Sequence, residues 1–143
     1  MESKVAQILV VDNRRSLLDE MVAEIEDQLE DRDEKTTIVK AQSVAEAISL
    51  IATNTFDAIV VDLRLGDERE ADDSGLAVLR AAQKRDPSVP VIVVTNFGSV
   101  KLGASILRTG AFDFIDRNIP GINWLRLVGA KTRLAVEYHH SHP

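Results

Sequence analysis

Residues 7–11 read QILVV and are followed at once by Asp12 and Asn13. Residues 58–61 read AIVV and run into Asp62, and residues 89–94 read VPVIVV and run into Thr95. A run of Val, Ile and Leu with no polar alternation has no face to show to water. Each therefore reads as a strand covered on both sides, the mark of a parallel sheet. Two weaker runs, 36–39 (TTIV) and 111–115 (AFDFI), complete a set of five.

Working outward from these runs, the intervening stretches repeat their apolar residues at helical spacing. Leu17, Leu18, Met21, Ile25 and Leu29 follow the three-and-four rule, as do Val44, Ala47, Ile48 and Ile51, and then Leu76, Val78, Leu79 and Ala82. Ser43 with Glu46 three residues later predicts a capped start for the second helix. Pro87 and Pro90 end the third helix and let the fourth strand begin. A fourth helix starts near Ser99 and stops at Gly110; a last one runs from Gly121 or Ile122 to about Tyr138, leaving 139–143 as a frayed tail. Strand and helix thus alternate five times. That pattern predicts an α/β fold: a doubly wound, five-stranded parallel sheet of order 2-1-3-4-5 with helices on both faces, flavodoxin-like, in a single domain over 1–143.

Composition narrows the function. The 143 residues carry a net charge of −6, which argues against direct nucleic-acid binding. There is no cysteine, so disulfides, thiolate catalysis and cysteine-held zinc are excluded. No apolar stretch approaches the roughly 20 residues that span a bilayer, and residues 1–12 do not read as a signal peptide. A cytoplasmic protein with no membrane partner is the simplest expectation. Neither a G-x-x-x-x-G-K-[ST] loop nor a G-x-G-x-x-G turn is present; Asp12-Asn13-Arg14-Arg15 stands where the latter would follow the first strand.

In open α/β sheets, ligands sit outside the carboxyl ends of the strands. The residues there are Asp12 and Asn13 after the first run, Asp62 after the third, Thr95 and Asn96 after the fourth, and Asp116 and Arg117 after the fifth. The order 2-1-3-4-5 makes those four strands neighbours, so two carboxylates, a hydroxyl and a guanidinium should share one shallow pocket. The competing explanation is that polar residues simply follow every buried strand.

The strand-end pattern ILVVDN (8–13), VVDL (60–63), VIVVT (91–95) and GAFDFIDR (110–117) resembles the receiver domains of bacterial response regulators, over essentially the whole chain. That resemblance implies a phosphoacceptor at Asp62, a switch hydroxyl at Thr95, a switch aromatic at Phe114, and Arg117 where the family carries a Lys. It implies a weakly held Mg2+ at Asp12, Asn13, Asp62 and the backbone carbonyl of Arg64. Three departures stand out: Asn13 is a neutral amide where an acid is usual, Arg117 is a planar fork in place of Lys, and Asn118 stands where a Pro usually follows. The loop after Asp62 is also long, closed by Gly75.

Other features have plainer explanations. The acidic stretch 66–74 (GDEREADDS) lacks the ligand alternation of an EF-hand and reads as a solvated loop. His139, His140 and His142 lie in the expected frayed tail, not in a metal site. The expectation is therefore a stand-alone receiver, not an enzyme. It would take phosphate from a sensor histidine kinase or phosphotransfer protein and signal to a downstream protein target, with self-association through the apolar last helix as a further interaction. The alternatives are a degenerate receiver that serves only as an interaction module and, less favoured, a flavodoxin-like phosphatase or hydrolase. Arg64 stands two residues after Asp62, where such phosphatases carry a second Asp.

Overall fold

The computed structural model describes residues 5–32, 35–65, 74–96 and 100–142. Five strands, β1 (Val5–Val11), β2 (Lys35–Ala41), β3 (Ala58–Asp62), β4 (Val91–Thr95) and β5 (Asp113–Asp116), form one parallel sheet in the order β2-β1-β3-β4-β5. Between and after them lie α1 (Arg15–Leu29), α2 (Val44–Thr53), α3 (Gly75–Arg85), α4 (Val100–Arg108) and α5 (Trp124–Ser141).

The pleat explains the continuous apolar runs. Leu9, Val11, Ile59, Val61, Val91 and Val93 point to one side, into a core shared with Ala47 and Ile51 of α2, Val78 and Leu79 of α3, and Ile106 of α4. Their neighbours Ile8, Val10, Val60, Ile92 and Val94 point to the other side, against Leu18, Met21 and Ile25 of α1 and Val128 and Val136 of α5. Every residue of β3 and β4 is buried. At roughly 1.5–3 kcal/mol for each large apolar side chain removed from water, these two strands anchor the sheet.

Local signals set the helix ends. Ser43 Oγ accepts from the Glu46 N–H at 3.1 Å, as the capping pattern predicts. Pro90 has no N–H to give, but its carbonyl accepts from Ile59 N at 3.0 Å, so β4 enters the sheet without a lost partner. Gly110 holds φ +108 and ends α4.

Helix α5 departs from expectation at both ends. It starts at Trp124, later than Gly121 or Ile122, because Gly121 at φ +80 turns the chain and Asn123 Oδ1 then caps the Arg126 N–H at 3.2 Å. It also continues through Ser141, so the fraying expected from His139 onward is replaced by a helical turn. That turn is tied down: His139 Nδ1 and His140 Nε2 each lie 3.0 Å from Asp57 Oδ1, and His139 Nε2 lies 3.5 Å from Asp86 Oδ2. Of the acidic stretch 66–74, only Ser74 lies among the described residues; its Oγ accepts from Leu65 N at 2.8 Å.

Candidate functional site

The register of the parallel strands fixes which strand ends meet. Val11 pairs with Val61, so Asp12 and Asp62 follow side by side; Asp62 pairs with Val94, which puts Thr95 one residue beyond it; Thr95 pairs with Asp116, next to Arg117. Backbone bonds continue the alignment past the sheet. Asp12 N donates to Ala41 O at 3.1 Å, Leu63 N to Val94 O at 2.9 Å, and Arg117 N to Thr95 O at 2.9 Å. Asp12 and Thr95 are fully buried, Asp62 is 2% exposed, and Arg64 and Arg117 are nearly as deep.

Buried carboxylates need partners, and here all four of their oxygens have N–H donors. Asp12 Oδ1 accepts from Arg14 N at 2.9 Å and lies 3.5 Å from Arg14 Nε. Asp12 Oδ2 accepts from Arg117 Nη2 at 3.0 Å. Asp62 Oδ1 accepts from Arg64 N at 3.3 Å. Asp62 Oδ2 accepts from Arg14 Nη2 at 3.1 Å and has Arg117 Nη2 at 3.9 Å.

Burial is the largest influence on Asp62 and pushes its carboxyl up to about 6; Arg117 opposes the shift, Asp12 adds to it, and the Arg64 N–H and Arg14 oppose it again. A carboxylate with this value is mostly ionised at neutral pH and more basic than an exposed one. Arg117 is pushed below its ordinary value, again chiefly by burial, while Asp62 and Asp12 hold its charge in place.

Two elements keep the acceptor in position. Gly75 donates its N–H to Leu63 O at 2.7 Å, and a Cβ built on it would lie 2.3 Å from Asp62 O and 2.8 Å from Leu63 Cα. Only a glycine lets α3 start this close to the Asp62 backbone. On the other side, Arg117 Cζ sits 4.9 Å from the centre of the Trp124 ring, so the first residue of α5 backs the guanidinium. Asn118, where a Pro would stand in the family pattern, donates from its backbone N to Asp116 Oδ1 at 2.8 Å and from Nδ2 to Asn96 O. The amide thus ties the loops after β4 and β5 together.

The site therefore gathers Asp12, Asp62, Thr95 and Arg117 as the strand ends suggested, with Asn13 half-buried beside Asp12. Phe114 is half-buried on β5 and packs on α4, where a Cβ at Gly103 would meet its Cδ1 at 3.1 Å. Sequence reasoning missed Arg14 and the part played by Trp124. An Arg directly after the acid-and-amide pair was the available signal for the first. Nothing in the sequence pairs Trp124 with Arg117, because the contact depends on where α5 begins. Among the described residues, no group of three or more His, Asp or Glu is arranged to hold a metal. No helix among them is long and apolar enough to cross a membrane.

Comparison with known proteins bears on the family and the fold. The family model described as "Response regulator receiver domain" matches residues 8–126. The response regulator protein PilR of Pseudomonas aeruginosa is 35% identical over 94 residues, covering 66% of this chain and 20% of PilR. Among solved structures, a CheY-like receiver domain protein from Methanospirillum hungatei superposes with a TM-score of 0.74 at 21% identity, covering 98% of this chain and all of that one. The receiver domain of NtrX from Brucella abortus gives 0.65 at 25% identity, covering 91% and 98%. The chain thus spans about a fifth of the curated relatives it matches. Since the family match runs from β1 into α5 and takes in every residue of the pocket, this chain belongs to the response regulator receiver domain family.

Proposed function

We propose that this receiver takes a phosphoryl group onto Asp62 from a sensor histidine kinase or phosphotransfer protein and relays the event through protein–protein contacts. Receiver domains are signalling domains that interact with such donors. The observation that carries the assignment is the Asp62 carboxylate itself. It is buried, raised to about 6, and the one carboxylate at the end of the central strand β3, with both site guanidiniums on its Oδ2.

The step is a displacement at phosphorus. An Asp62 oxygen forms the new O–P bond while the bond from phosphorus to the donor breaks and its electron pair leaves with the donor. Catalysis of such a transfer is mostly positioning and stabilisation of the spread negative charge. Arg117, held by Asp12 and Trp124, is placed to pair with a phosphoryl oxygen. Thr95 would donate its hydroxyl to another and, in moving towards it, vacate space that the half-buried Phe114 ring on β5 can fill. A second copy would dock on the face of α5 that carries the exposed Leu134 and Tyr138.

Receiver domains generally bind Mg2+ at the phosphorylation site, where the cation supplies positive charge to the transferring group. The donor set expected for it here is Asp12, Asn13, Asp62 and the Arg64 carbonyl. That set does not fit a cation without rearrangement, because each of the four carboxylate oxygens already accepts from Arg14, Arg64 or Arg117, and a cation would have to share or displace those donors.

The experiment is loading with a small phosphodonor such as phosphoramidate, with and without magnesium, followed by intact mass. One added phosphoryl group is expected in the wild type and none in Asp62→Asn. No adduct in the wild type under either condition, or an undiminished adduct in the variant, would overturn the assignment and leave a phosphorylation-independent interaction module.

A further inference from the structure

We propose that Arg14 and Arg117 together take the electrostatic place of the divalent cation, so that this receiver binds its phosphoryl group without magnesium. The inference deepens the phosphoacceptor reading of Asp62 and rests on it for the loading step alone. Its starting point is the lattice of ion pairs. Arg14 spans the two buried carboxylates, 3.5 Å from Asp12 and 3.1 Å from Asp62. Arg117 spans the same two, at 3.0 and 3.9 Å. Two carboxylates are matched by the two guanidiniums that span them, so their negative charge is met before any metal arrives.

The loop after β1 accounts for that balance. Asn13 withholds the negative charge that an acidic pair would supply, and Arg14 adds a positive one. The two residues together make the loop more positive by the charge of one magnesium ion. A hard cation prefers several anionic oxygens in near-octahedral array. Here it would have to displace the Arg14 fork from Asp62 and then sit beside a permanent positive charge. A phosphoryl group faces the opposite situation. Bonded to Asp62, it brings anionic oxygens to the side chain that Arg14 and Arg117 already contact, and both are planar forks suited to phosphate.

The two arginines differ in exposure, which suits the two parts of the task. Arg117 is 4% exposed and backed by Trp124, so it is fixed. Arg14 is 28% exposed, so its side chain is the more open of the two to an arriving phosphoryl group.

Two measurements test this. Calorimetric titration with magnesium alone compares the wild type, Arg14→Gln, and the double variant Asn13→Asp with Arg14→Ala; circular dichroism checks that each folds. Trp124, the single tryptophan, stacks on Arg117 and gives a parallel fluorescence signal. No saturable binding is expected in the wild type. Arg14→Gln should gain affinity, and the double variant should bind at least about tenfold tighter than the wild type. Wild-type affinity equal to that of the double variant would overturn the proposal.

In the second measurement, phosphoramidate loading is followed with magnesium or with a chelator. The wild type should load at the same rate in both, and the double variant only with magnesium. Stimulation of the wild type by about tenfold or more on adding magnesium would also overturn it. If neither protein ever gains a phosphoryl group, the phosphoacceptor reading fails, and the magnesium titration still decides the arginine assignment by itself.

Discussion

Asp62→Asn should make this protein more stable, and by an amount that depends on pH. In the folded state the carboxyl is raised from 3.8 to about 6, with burial as the main cause. The sign follows from proton linkage. Between these two values the folded protein holds a proton on Asp62 that the unfolded chain has released, so raising the pH favours unfolding. The protonated carboxyl fits the pocket best below the unfolded value. That advantage is lost progressively up to about pH 6–7, after which the cost is constant. At about 1.4 kcal/mol per pKa unit, the penalty at neutral pH is about 3 kcal/mol. The amide of Asp62→Asn mimics the neutral carboxyl and does not titrate, so it escapes this penalty while giving up the charge that Arg14 and Arg117 share. Urea unfolding of both proteins from about pH 4 to pH 7.5 measures the difference directly, since carboxylates common to both cancel. The stability of the variant relative to the wild type should rise by about 2–3 kcal/mol across that range. A flat difference, or a wild type that gains on the variant as pH rises, would refute the claim that burial outweighs the two arginines at Asp62. The same value predicts that loading of phosphate falls about tenfold per pH unit below pH 6, as the nucleophile becomes protonated.

Gly75→Ala should cost about 2–4 kcal/mol in urea unfolding, because its Cβ would lie 2.3 Å from the Asp62 carbonyl oxygen, a backbone atom that cannot move alone; an unchanged midpoint would show that α3 can retreat freely. Thr95→Ala should still accept phosphate but lose the amide shifts in α4 that loading produces in the wild type by NMR. Gly103→Ala, whose Cβ would press on Phe114 at 3.1 Å, should shift the same amides with no phosphate present; silence in both would break the link between Thr95, Phe114 and α4. Asp57→Asn should loosen the end of α5, since Asp57 accepts from Gln7 N and holds His139 and His140, with a loss of about 1–3 kcal/mol. Hydrogen exchange should quicken over the last turn of α5 and stay slow at Val128; uniform protection along the helix would contradict the anchoring.

The sequence by itself determined the sheet and the rim. Runs such as AIVV and VPVIVV read as strands covered on both faces, and five of them alternating with helical spacing leave little choice of topology. Strand order then delivers Asp12, Asp62, Thr95 and Arg117 to neighbouring strand ends, because in a parallel sheet every carboxyl end points the same way. Side-chain pairing was decided only in three dimensions. Arg14 sits two residues from Asp12 in the chain but reaches Asp62 across 48 positions, and nothing in its own neighbourhood of sequence names that partner. The end of α5 behaves alike: His139 and His140 read as a fraying tail until the fold brings Asp57 and Asp86 beneath them. Apolar burial depends on a pattern repeated along the chain, which sequence displays. An ion pair depends on two side chains meeting after the chain has closed, and that distance exists only in the folded protein.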